Sequence, residues 1–84
     1  MAHILWKKGG SGDVAASADD LTTVRSTIPS APGSRIEGEL AEGGAPVRLK
    51  VHRCRKDGEA FVIEGRLLDA TRELRTALAA LAPP

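Results

Sequence analysis

The chain reads as a mainly β protein: a small antiparallel β-barrel of five to six strands with one C-terminal α-helix. Three observations predict this. Residues 34–68 hold three stretches in which apolar and charged side chains alternate, separated by glycine-bearing turns. Residues 21–28 are rich in β-branched side chains, which suit a pleated sheet. After Asp69 the apolar period changes from two to three and four, and alanines accumulate. With 84 residues there is room for one domain, 1–84. A chain this short buries only roughly 60–65% of its unfolded surface, so its core is thin.

The elements follow in order. His3 to Lys8 can form a short strand. Gly9 to Asp20 is rich in glycine, serine and alanine and reads as a loop, which makes 1–20 a flexible N-terminal strand and loop. Leu21 to Ile28 is a strand, stopped by Pro29, and Pro29 to Gly33 is a turn. In Ser34 to Ala41, Ile36, Gly38 and Leu40 share one face, and Arg35, Glu37 and Glu39 share the other. Glu42-Gly43-Gly44 is a hairpin turn. Pro46 to Arg55 places Val47, Leu49 and Val51 inside, with Arg48, Lys50 and His52 outside. Lys56-Asp57-Gly58 is the clearest hairpin signal. Glu59 to Leu68 puts Phe61, Ile63, Gly65 and Leu67 on one face. Asp69 is a candidate N-cap for a four-turn helix, with Thr71, Leu74, Leu78 and Leu81 as its stripe. That stripe needs an open end or face of the barrel to bury it. Pro83-Pro84 ends the helix.

Composition excludes several classes of function. Twelve basic residues against eleven acidic ones give a net charge of +1, without the basic excess of a nonspecific polyanion binder. The single cysteine, Cys54, rules out an internal disulfide framework and a four-cysteine zinc site, and it fits a reducing cytoplasm. No apolar run reaches the ~18 residues of a membrane-spanning helix, and Ile4-Leu5-Trp6 is too short for a signal peptide. A barrel this small fills itself with side chains and leaves no enclosed ligand cavity. Function then belongs to a surface, an edge strand or a loop, and an enzyme is not expected.

Few residues carry chemistry. His52 and Cys54 lie two apart on one strand, with His3 a third candidate ligand, but zinc wants four ligands in ordered geometry. Side chains at that spacing sit roughly 6–7 Å apart, too far for a thiol–imidazole hydrogen bond. No metal site and no catalytic pair is expected. Arg48, Lys50, His52, Arg53, Arg55 and Lys56 form the densest basic run. Glutamates on the neighbouring strands can pair with it, and no aromatic residue interleaves it for base stacking. Lys7 and Lys8 precede a glycine-rich segment that lacks the strand–loop–helix setting and the Lys-Ser/Thr of a phosphate loop. Trp6, the only tryptophan, is either an anchor for the first strand or an exposed contact for a partner protein.

From Pro32 onward the chain resembles the PilZ domain family. Pro32-Gly33-Ser34-Arg35-Ile36 resembles the family's entry into a strand. Val47-Arg48-Leu49-Lys50-Val51-His52-Arg53-Cys54 resembles its basic strand, although Val51 stands where glycine is common. Leu67-Leu68-Asp69 and Thr71-Arg72-Glu73-Leu74 resemble the end of the last strand and the terminal helix. Family members that bind cyclic di-GMP carry an arginine pair in the N-terminal stretch and an Asp/Asn-x-Ser-x-x-Gly segment. Here Lys7 and Lys8 stand without an arginine before Arg25, and in Ala15 to Asp20 only Ser17 matches. Lysine supplies neither the bidentate grip nor the stacking of arginine.

The resemblance therefore implies a bacterial, cytoplasmic, non-catalytic adaptor or regulatory module without a cofactor. It would act through protein contacts, with a setting in motility or type IV pilus function. Trp6 or an edge strand would meet the partner, and an edge strand could also pair with a second copy. The alternative is an atypical cyclic di-GMP receptor built from Lys7, Lys8, Ser17 and Arg25. A second alternative is a small β-barrel that binds nucleic acid.

Overall fold

The computed structural model of the chain describes residues 2–83. Six strands and one helix follow in the order β1 (Ile4–Trp6), β2 (Ser11–Ala18), β3 (Leu21–Ser26), β4 (Arg35–Leu40), β5 (Pro46–Asp57), β6 (Ala60–Leu67) and α1 (Arg72–Leu81). The strands form one closed barrel in the spatial order β1-β2-β3-β6-β5-β4, every neighbour antiparallel. The alternation read in the last three strands holds. Ile36, Leu40, Val47, Leu49, Val51, Ile63 and Leu67 are buried.

The N-terminal region corrects the reading of Gly9 to Asp20 as a loop. Ser11–Ala18 is a strand of eight residues, paired with β1 on one side and β3 on the other. Its alanines, serines and glycine have weak strand preference, and a bulge between Val14 and Ala16 breaks its alternation. The partners make this strand. Gly12 and Gly38 lie beneath the Trp6 indole, and Cβ atoms there would sit about 3.0 Å and 2.9 Å from the ring. At Gly38 the added atom would also strike the carbonyl oxygen of Leu5.

Trp6 is itself core, 4% exposed. Its Nε1 donates to Ser26 Oγ at 2.9 Å. The same hydroxyl donates to the Ile28 carbonyl at 2.7 Å and accepts from the Ile28 amide at 3.1 Å. The one polar atom of the indole is thus satisfied inside the barrel. This settles the choice left open for Trp6: it anchors the first strand and is not an exposed partner contact.

Closure also corrects the expectation of a free edge strand for a partner or second copy. Three-residue β1 bridges β2 and β4 and shuts the ring, which removes the long unpaired edge that strand addition needs. Beyond Gly12, β2 pairs only with β3 and has α1 packed against it, and β5 also runs past its outer neighbour. Its pairing with β4 ends at Lys50, and the stretch from Arg53 to Asp57 pairs only with β6. That short overhang carries Arg53, Arg55 and Lys56, the kind of charge that blunts an edge.

The helix begins later and is shorter than predicted. Thr71, not Asp69, is the N-cap, its Oγ1 accepting from the Leu74 amide at 3.1 Å. Asp69 adopts φ +52° in the link before the cap, and its carboxylate accepts from Arg48 at 2.8 Å. Ten helical residues make about three turns, not four. Leu74 and Leu78 are buried, and an Arg75–Asp20 ion pair at 2.7 Å ties the helix to the β2–β3 turn. No helix among the described residues is long and apolar enough to cross a membrane.

Candidate functional site

The four residues expected to form an atypical nucleotide site do not meet. Lys7 and Lys8 are exposed in the turn that follows β1. Ser17 is near the far end of β2, about 20 Å along the strand from Ser11. Its hydroxyl is 3.3 Å from that of Thr22, which is already a local hydrogen bond. Arg25 lies on the outside of β3, and its guanidinium donates to Asp57 at 2.7 Å. That hydrogen bond, and the positive charge behind it, hold the Asp57 carboxyl below the usual carboxylate range, with a smaller contribution from Arg55.

The expected alignment of His52 and Cys54 on one side of β5 is broken by a second bulge. The register shifts between Val51 and Arg53, leaving His52 exposed and unpaired, while Cys54 aligns with inward Ile63. His3 stands just before β1, with β4 between it and β5, and its Nδ1 accepts from the Val14 amide at 3.0 Å.

The charged outer surface of β4, β5 and β6 shows two patterns. Part of it is the ion-paired face expected from sequence. Arg48 reaches Glu37 at 3.8 Å and Asp69 at 2.8 Å, and Arg53 reaches Glu64 at 3.8 Å. The other part is a row of like charges. Lys50 is directly opposite Arg35 on β4 and directly opposite Arg66 on β6. Among the described residues none of these three cations has an ion-pair partner. Arg66 is in turn opposite Leu21 on β3, a leucine 58% exposed to solvent.

Like charges directly across a strand pair repel and are destabilising. A neutral or acidic residue at position 50 would serve the fold better than lysine does. The row therefore breaks a local rule without a structural gain, as is typical of binding surfaces. Chemically, two guanidinium groups flanking an ammonium form a compact donor array for oxyanions. The sequence offered all three residues, but only the register places them side by side.

No family model matches the chain, and neither a curated protein nor a solved structure does.

Proposed function

We propose that this chain is a non-catalytic, PilZ-like adaptor or regulatory module that works through protein contacts on the outside of its barrel. The observation that carries this reading is the unpaired row Arg35–Lys50–Arg66. It is a concentration of binding groups that the fold does not need. The filled barrel supports it, because the inward positions are occupied by packed side chains and recognition is left to the surface. The family resemblance adds a setting in motility or type IV pilus function.

Affinity capture tests the reading, with the wild-type chain and an R35Q/K50Q/R66Q variant as baits. A protein retained by the first and lost by the second is expected. A parallel calorimetric titration with cyclic di-GMP should show no heat. Micromolar binding of that nucleotide would replace the adaptor with a receptor, for which the scattered positions of Lys7, Lys8, Ser17 and Arg25 offer no site.

A further inference from the structure

We infer that the partner contacts the row Leu21–Arg66–Lys50–Arg35 through a short acidic segment that carries one apolar side chain. The inference rests on the adaptor reading and names the chemistry of what is bound. Four side chains stand in register across four consecutive strands of the barrel, β3, β6, β5 and β4. Three interstrand steps of about 4.8 Å make the row about 14 Å long, the span of four or five residues of extended chain. Its composition is ordered, with an exposed leucine at one end and three cations running from it. A segment with a hydrophobic residue followed by two or three carboxylates complements that order.

The surroundings of the row separate this occupant from a nucleic acid. Glu37 is two positions from Arg35 on β4, and Glu64 is two positions from Arg66 on β6, so outward carboxylates border the row on both flanks. A continuous polyanion running along the strands of this face would pass over both of them. A short acidic segment laid along the row passes between them. The aromatic residues give no help to a base, since Trp6 is buried and Phe61 aligns with inward Ser26.

Fluorescence anisotropy tests the proposal. The probe is a dye-labelled peptide of one leucine followed by four glutamates, in low salt, with its glutamine counterpart as control. Wild-type protein should bind the acidic peptide and not the control, and the R35Q/K50Q/R66Q variant should bind it about ten-fold more weakly. Leu21→Ser should weaken it about three-fold, the effect of losing a small apolar contact.

Both variants should melt no lower than wild type. The first removes like-charge neighbours and the second alters an exposed side chain, so weakened binding would not report unfolding. Equal affinity of wild type and triple variant would overturn the inference. So would the absence of saturable binding to wild type at millimolar protein. If the triple variant still loses a captured protein in either case, the adaptor reading survives and only the acidic-segment chemistry fails. Tighter binding of a single-stranded oligonucleotide than of the peptide at the same salt would overturn both.

Discussion

The β1–β2 and β5–β6 hairpins are walls of the same barrel held in place by opposite means. β5–β6 carries its own instructions. Val47, Leu49 and Val51 alternate with charged residues, and a two-residue loop places Gly58 at φ +64°, where the second hairpin turn calls for a left-handed residue. β1–β2 carries almost none. One strand is three residues long, and the other is built largely from small residues. It is held by Trp6, whose indole needs the bare backbone of Gly12 and Gly38 beneath it. A strand can be specified by what must lie against it as well as by its own pattern.

The sharpest way to break this comparison is Trp6→Ala. Removing a buried tryptophan costs about 3–5 kcal/mol, as much as a single small core supplies. The variant should show no cooperative transition by scanning calorimetry. A clean transition near the wild-type temperature would mean that β1–β2 stands without its anchor.

A pair of glycine substitutions sharpens it further. At Gly38 a methyl group meets the Leu5 carbonyl, which is backbone and cannot step aside. Overpacking of that kind costs about 1–3 kcal/mol. At Gly58 nothing lies within 4 Å of the added atom, so Gly58→Ala meets only the left-handed backbone, about 1–2 kcal/mol. Urea unfolding should rank Gly38→Ala below Gly58→Ala, and the reverse order would deny the N-terminal hairpin its tighter packing.

The smallest effect lies on the β5–β6 side. The Asp57 carboxyl is depressed by Arg25, so its contribution to stability is present above the ordinary carboxylate pKa and is lost as pH falls through its folded value. Arg25→Gln should move the Asp57 titration, followed by carboxyl NMR, up toward the ordinary range, leaving only the smaller effect of Arg55. The variant should be slightly less stable than wild type at neutral pH and equal to it in strong acid. A difference that persists in acid would assign the effect of Arg25 to packing instead.

What was legible follows the same division. β4, β5 and β6 could be read residue by residue because side-chain period and turn chemistry agreed. β2 could not, because Gly12 and the alanines signal a loop until Trp6 and Val24 are known to lie against them. Leu74 and Leu78 of the helix stripe were legible, but the cap was not, and Thr71, read into the stripe, is the exposed cap. Asp69 and Thr71 are both capable caps, and the Arg48 pair took Asp69 away. The candidate site failed for a related reason. Lys7, Lys8, Ser17 and Arg25 were grouped by the resemblance, and two ends of one strand keep them apart. Arg35, Lys50 and Arg66 stood in plain view, but their adjacency is a fact of register, which composition does not contain.

The position of Trp6 has an optical consequence. It is the only tryptophan and the last residue of the short strand that joins β2 to β4, so one fluorophore sits at the seam where the ring shuts. Its emission should be blue-shifted while the indole is sealed against Gly12, Gly38 and Ser26, and should move to the red as soon as water reaches it. Opening of the seam would register in that colour change, so the chain carries a built-in reporter of the joint that closes the ring.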